Sequence, residues 1–374
     1  MFLKTAIPFL LLSSCLLAQE EQGRLELDFL GSYYDQSGEH SPVNGGNGSE
    51  ELTSASPVIA VRFTNRNDWK FSANLGFDSI TSASIDSMDE NAGPGHNVSG
   101  ASGQDTRAFL ALSAEKRFGN QTWGTNLGFS NEYDYHSLYA GFNWALDFNE
   151  RNTTLGLALT HYSDTVDQYD INGVNQGEED RTTTDLSVTL SQVLGRRTVM
   201  TAELFASDQS GFLSSPFQEV ILSDGTHVAE KLPDARLRTG LRLSLNQAWS
   251  AAFVTRFYYR YYTDDIGIDA HSLEIEPHFR LPTGRKTWLY PILRYHTQTG
   301  SDHYGLPNSF NPADPFYTAD RDLSEFTSTK LGLGLNMGLS GGHLRSLNVR
   351  LSHYERDEGL SAFTLSFGFG WSFL

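Results

Sequence analysis

The chain has 374 residues and carries 27 Lys plus Arg against 45 Asp plus Glu, a formal net charge of −18. So acidic a chain excludes nucleic acid as a partner, because phosphates demand a basic face. Its negative mean hydropathy excludes a bundle of transmembrane helices. It does not exclude a membrane β-barrel, whose strands show only every second residue to lipid. The 24 Phe, 16 Tyr, 6 Trp and 34 Gly suit aromatic girdles outside such a barrel and small residues inside it.

Residues 1–18 read as a signal peptide. Lys4 supplies the positive end, and the apolar stretch from Thr5 to Ala18 is too short to span a bilayer as a helix. Cleavage is expected between Ala18 and Gln19, leaving residues 19–374 as one barrel. The single cysteine, Cys15, lies in this segment, where LSSC at 12–15 gives a lipoprotein box as the alternative. After cleavage at Ala18 no cysteine remains for a disulfide, a thiolate nucleophile or a metal site.

From there on, alternation of period two dominates. Trp69, Phe71, Ala73, Leu75 and Phe77 alternate with Lys70, Ser72, Asn74, Gly76 and Asp78. Leu138, Ala140, Phe142, Trp144, Leu146 and Phe148 alternate with Ser137, Tyr139, Gly141, Asn143 and Asp147, and the pattern returns at Leu237, Leu241, Leu243 and Leu245. About sixteen such segments follow one another, near 24–34, 57–65, 69–80, 105–118, 121–132, 135–148, 152–163, 182–194, 197–207, 235–246, 249–262, 268–281, 287–298, 326–337, 344–354 and 360–373. Each is about the length a tilted strand needs to cross a bilayer.

The connections alternate too. Short turns of Asn, Gly, Asp and Pro at 65–68, 119–120, 149–151, 195–196, 246–248, 282–286 and 338–343 take turns with mostly long loops at 35–56, 81–104, 164–181, 208–234 and 299–325. That asymmetry belongs to outer-membrane barrels, with short periplasmic turns and long external loops. A soluble β-sandwich also alternates, but its strands average about five or six residues and give no reason for the asymmetry. The fold expected is therefore all-β: a transmembrane antiparallel barrel of about sixteen strands in the cell outer membrane. The 208–234 and 299–325 loops are long enough to fold inward and constrict a pore, or outward to receive a partner. In the last strand Phe363, Leu365, Phe367, Phe369, Trp371 and Phe373 share a face. This resembles the C-terminal strand read by barrel-insertion machinery, except that the terminal residue is Leu374.

Charge is unevenly spread. The loops are acidic, with Asp164, Asp167, Asp170, Glu178, Glu179 and Asp180 in one and Asp302, Asp314, Asp320, Asp322 and Glu325 in another. They read as solvated surface, or as sites for divalent cations shared with lipopolysaccharide. On four consecutive segments Arg236, Arg238, Arg242, Arg256, Arg260, Glu274, Glu276, His278, Arg280, Arg294 and His296 fall opposite the apolar face. An Arg at mid-membrane on the lipid face costs about 2–4 kcal/mol, so these side chains are expected in the lumen. Two readings stand: an arginine-lined wall that attracts anions, or a cross-strand ladder of Arg–Glu pairs that braces the barrel. Outward Phe257, Tyr259 and Tyr261 fit an aromatic girdle, whereas Tyr258 and Tyr262 would face the lumen.

No nucleophile elbow, zincin or P-loop motif occurs, and no signature of a cofactor or metal site. Asp264, Asp265, Asp269 and His271 near one rim are the nearest to a catalytic cluster. The expectation is a porin-like, non-enzymatic barrel for small polar solutes. The alternatives are a non-conducting scaffold for a periplasmic or surface partner and, third, a rim-site hydrolase.

Several stretches carry a family resemblance: SGASG at 99–103 with Asp105 and Arg107, EYDY at 132–135 followed by Ser137 and Leu138, FNERNTTL at 148–155, SGFLSSPF at 210–217, RYYTDDIG at 260–267 with His271 and Glu274, and LRYH at 293–296. In that order they resemble an uncharacterised bacterial outer-membrane β-barrel family catalogued as a domain of unknown function. The resemblance implies the fold and the location and brings no catalytic residues. It also implies, for some members, a link with flavin-attaching enzymes, which is why a redox-linked partner enters the scaffold alternative.

Overall fold

The structure is a computed structural model and describes residues 23–85, 103–170, 174–340 and 342–373. The signal-peptide segment, Cys15, Leu374 and most of the 81–104 loop lie outside the described residues. Sixteen antiparallel strands close into one barrel. In chain order they are β1 (Arg24–Glu39), β2 (Ser49–Thr64), β3 (Trp69–Ile85), β4 (Gly103–Phe118), β5 (Gln121–Asn131), β6 (Tyr135–Phe148), β7 (Thr153–Tyr169), β8 (Asn175–Gly195), β9 (Thr198–Gly211), β12 (Ala235–Ser250), β13 (Phe253–Asp264), β14 (Asp269–Leu281), β15 (Thr287–Gln298), β16 (Phe326–Gly338), β17 (Leu344–Arg356) and β18 (Ser361–Phe373). A separate two-stranded hairpin, β10 (Glu219–Ile221) with β11 (His227–Ala229), sits in the loop between β9 and β12. β18 pairs with β1 from Leu25↔Phe373 to Ser37↔Ser361, so no strand edge is left open.

The wall is inverted relative to a soluble protein. Phe71, Phe77, Leu138, Leu157, Leu204, Leu273, Leu331 and Leu351 are exposed on the outside. The alternate positions face in and bond across strands, as Lys70 does to Glu115, Ser72 to Ser113 and Asn336 to Asn348. This is the apolar-out, polar-in dyad of a membrane barrel.

Two boundaries differ from the sequence reading. The acidic segment 164–181 is mostly strand: β7 runs to Tyr169 and β8 begins at Asn175, pairing Asp164↔Arg181 and Asp167↔Glu178. Apart from Val166, Tyr169 and Val174 its described residues are polar or glycine, so alternation is nearly silent there although the backbone ladder continues. The turn expected at 246–248 is paired strand, and the chain reverses at Ala251–Ala252 after a bulge between Ala248 and Ser250. Gln247 takes a bond from Thr198, and Trp249 donates to Thr255, at the short-turn end where the outward face meets water.

Three loops converge over the opposite mouth. The β1–β2 loop and the β9–β12 loop lie halfway round the barrel from each other, eight strands apart in either direction, and the β15–β16 loop lies midway. Even so, Gly45 of the first packs so closely on Ile221 of the second that a Cβ would stand 2.6 Å from Ile221 Cγ1. Gly45 also has φ +63°, which glycine adopts without penalty. The second and third loops are stitched by Ser223 N–H to Phe310 O at 2.7 Å, Asn308 N–H to Ile221 O at 2.8 Å and paired bonds between Lys231 and Tyr317. Val220, Leu222 and Ala319 form a small buried core between them. Contact between loops rooted on opposite sides requires that they cross the mouth, forming a cap.

Candidate functional site

β12 to β15 project the sequence-predicted residues from even-numbered positions. Register explains their grouping: Arg242 lies opposite Arg260 and Glu203, Arg256 opposite Glu276, and Glu274 opposite Arg294, which in turn faces Lys330. Glu274 accepts from Arg294 Nε at 2.9 Å and lies 3.2 Å from Lys330 Nζ. Glu276, its side chain only 4% exposed, sits 3.0 Å from His278 Nε2, 3.6 Å from Arg350 and 3.8 Å from Arg256. Arg242 pairs with Glu203 and lies over the Phe205 ring, 4.4 Å from its centre. His278 stacks on Tyr290 at 4.1 Å.

The expected lumen residues thus divide. Arg242, Arg256, Arg260, Glu274, Glu276 and Arg294 line one cavity of about 550 Å³ with Arg350. Arg238 joins Arg242 and Arg260 on an adjoining cavity of about 320 Å³. Arg236 is committed to structure: its Nη2 lies 2.5 Å from Asp264, whose side chain is fully buried, and it bonds the Tyr262 hydroxyl. His296 shares a bond of 2.8 Å with Ser272 beneath the cap. Arg280 stands apart at the short-turn end, opposite Trp288. Asp264 and the pair Asp269 and His271 do not form a common cluster. Asp264 points in to Arg236, while Asp269 and His271 take bonds from outward Tyr261 and Tyr259.

Glu203, Lys330 and Arg350 complete the wall and were not among the residues singled out in the sequence. The signal was there, since Glu203 alternates with Ala202 and Leu204, and Arg350 with Val349 and Leu351. Together the wall holds six cations (Arg242, Arg256, Arg260, Arg294, Lys330 and Arg350) against three carboxylates (Glu203, Glu274 and Glu276), an excess of three positive charges. The acids bridge strands, yet they leave the wall with a formal excess of positive charge.

Cavities sharing residues run along this wall. One of about 230 Å³ lies under Asp322 and Leu323 of the cap and shares Arg260 and Tyr262 with the 320 Å³ cavity. The 550 Å³ cavity meets, at Arg256 and Arg350, another of about 780 Å³ lined by Leu30, Trp288, Tyr290, Asn336 and Asn348.

The cap has its own charged centre. Glu230 is buried, accepts from Ser215 N–H at 2.7 Å and takes a bond from the Thr318 hydroxyl. Burial pushes its carboxyl up to about 7. Asp320 is raised as well, by burial and then by the charge of Asp322. Asp322 in turn holds Arg356 of the barrel wall at 2.5 Å.

Comparison with solved structures gives the same architecture. The chain is similar to a bacterial polysaccharide outer membrane secretin, with 12% identity, 94% of this chain and 98% of that chain covered, and a TM-score of 0.53. It is also similar to a BenF-like porin from Pseudomonas fluorescens Pf-5 (9% identity, 94% and 99% covered, TM-score 0.46) and to the outer membrane protein opdK from Pseudomonas aeruginosa (9%, 94% and 99%, TM-score 0.44). No curated protein matches significantly. A family model, DUF3570, described as a protein of unknown function, matches residues 12–365, nearly the whole chain. The fold is a closed sixteen-stranded antiparallel β-barrel, and the chain belongs to that DUF3570 family.

Proposed function

We propose that the protein is an outer-membrane channel for small polar solutes, with a preference for anions, and that it acts without enzymatic chemistry. The observation that carries this reading is the excess of three positive charges on the wall of a polar lumen. A ring or wall of Arg and Lys lowers the electrostatic barrier for anions and raises it for cations. Sixteen strands leave room for an aqueous path. In this setting the short turns lie in the periplasm and the long loops outside. Lipid meets the apolar outer face, lipopolysaccharide borders the acidic strand ends, and barrel-insertion machinery reads β18. Single-channel recording of the purified, refolded barrel in a planar bilayer tests the reading. Steady current steps are expected, and a well-folded barrel that never conducts contradicts it.

A second reading, a non-conducting scaffold that hosts a surface or periplasmic partner, draws support from the cap. Loops joined by a β-bridge and a buried core are ordered enough to present a fixed outer surface. A barrel that stays closed even after the 299–325 loop is shortened favours this reading over the channel.

A further inference from the structure

Arg238 and Arg260, which share a lumen cavity, form no ion pair among the described residues. Among the described residues no carboxylate oxygen lies within 4.0 Å of Arg238 or Arg260, whereas every other arginine of the wall has one. The Nε of Arg238 is buried without any hydrogen-bond partner. An orphaned donor on a desolvated cation is costly, and a bound anion would supply what is missing. The guanidinium carbon of Arg260 lies 5.4 Å from the centre of the Phe205 ring and 5.6 Å from that of Tyr262, so its charged head rests against two aromatic rings. Gly240 makes this arrangement possible. A Cβ there would stand 2.5 Å from the Phe205 ring and 2.4 Å from Tyr261 O, so only glycine lets that ring lie against β12.

The cavity between these cations is two-faced. β12 and β13 supply Arg238, Arg242 and Arg260, while the adjoining β7, β8 and β9 supply Thr160, Asp185, Ser187 and Ser207 along the same wall. Its volume of about 320 Å³ falls at the small end of ligand sites, which run roughly 300–1,000 Å³. Glu203 is occupied by Arg242, and Asp185 adds one negative charge, so the three guanidiniums keep one uncompensated positive charge.

We propose that this cavity is a binding site for a small hydroxylated monocarboxylate. Its acid group is held by Arg238 and Arg260, and its hydroxyls lie toward Thr160, Ser187, Ser207 and the acceptor Asp185. Guanidinium pairs recognise carboxylate through directed, charge-assisted bonds, and the hydroxyl-lined face rejects a purely apolar tail by leaving its own groups unpaired. The site lies where the cavities along the wall meet, so a solute crossing the barrel would pass it. This deepens the channel reading and rests on it for access, not for binding.

The test is calorimetric titration of the detergent-solubilised full barrel with three probes: gluconate, sorbitol, which keeps the hydroxyls without the charge, and acetate, which keeps the charge without the hydroxyls. Gluconate is expected to bind saturably and the other two at least about tenfold more weakly, a factor that corresponds to about 1.4 kcal/mol. Arg260→Gln and Arg238→Gln should each remove gluconate binding, Arg260→Lys should keep part of it, and Arg196→Gln in a short turn should change nothing. Heat-modifiable migration on a gel verifies that each variant is folded. Gluconate binding no tighter than acetate, or unchanged in both Gln variants, overturns the site. A barrel that binds gluconate but never conducts sustains the site and removes the channel, and one that conducts without saturable binding does the reverse.

Discussion

The two halves of the inner wall enclose the same water yet are built differently. On β3 to β7 the mid-depth positions are Ser72, Asn74, Asn126, Gly141, Asn143 and Thr160, and charge appears only near the strand ends. There it is matched: Lys70 with Glu115, Arg117 with Asp147, and Arg107 with Asp78 and Glu132. On β9 and β12 to β17 charge fills the middle, and cations exceed acids. The neutral half is polar at mid-depth without charge, through small amides and hydroxyls. A brace would be satisfied by equal numbers of Arg and Glu. The surplus of cations on one side therefore asks for an electrostatic role, and the account assigns it to anions in transit.

The sharpest way to break this contrast is to make the halves alike. Replacing Arg242, Arg260 and Arg294 together by Gln removes the excess of three charges. Anion preference in a salt gradient should then vanish or turn weakly cationic, while the conductance stays within about a factor of two at high salt, where screening is short-ranged. Next in size is Glu276→Ala. It strips Arg256, Arg350 and His278 of their shared carboxylate, and losing bonds to a charged group costs about 2 kcal/mol. A lower unfolding midpoint together with a stronger anion preference is expected, because one more positive charge is left bare.

A smaller effect concerns the cap. Its packed form holds the Glu230 carboxyl protonated up to about pH 7. A released loop would return that group to the ordinary carboxylate range. The packed cap binds the extra proton, so it is favoured at low pH and loosens as pH rises through about 7. Asp320 shifts in the same direction, while Arg181 opposes the shift. Open probability in bilayer recordings should rise between pH 5.5 and pH 8, and Glu230→Gln should flatten that rise. The smallest effect is expected from Arg280→Gln, since Arg280 lies at the short-turn end, away from the cavities lined by the other arginines. Its selectivity should match that of the unsubstituted barrel. A change as large as that of the triple variant would mean that the mouth, not the middle, sets selectivity.

Much of this was legible along the chain. Alternation within each membrane-crossing segment yields the sixteen strands, because lipid enforces an apolar outer face at every second residue. The same rule places Arg242, Arg256, Arg260, Glu274, Glu276 and Arg294 inside, and read further it would have included Glu203 and Arg350. It fails where lipid is absent. Asn175 to Asp180 and Ser49 to Glu51 offer no apolar face, so the strands run on beyond any pattern that marks them. The cap was illegible for another reason. Val220, Leu222 and Ala319 meet only because their loops are rooted at distant points of a closed ring, and no local spacing encodes that. Nor does spacing tell which arginine finds a partner: Arg236 and Arg238 look alike in sequence, yet one is tied to Asp264 and the other forms no ion pair within 4.0 Å among the described residues.

An anion-conducting lumen places the charged half-wall against moving anions. The most direct measurement is the reversal potential of the refolded barrel in a planar bilayer between two concentrations of potassium chloride. Steady channels are expected, with a reversal potential shifted toward the chloride equilibrium value. A reversal potential at the potassium value, or a folded barrel without current, would contradict it.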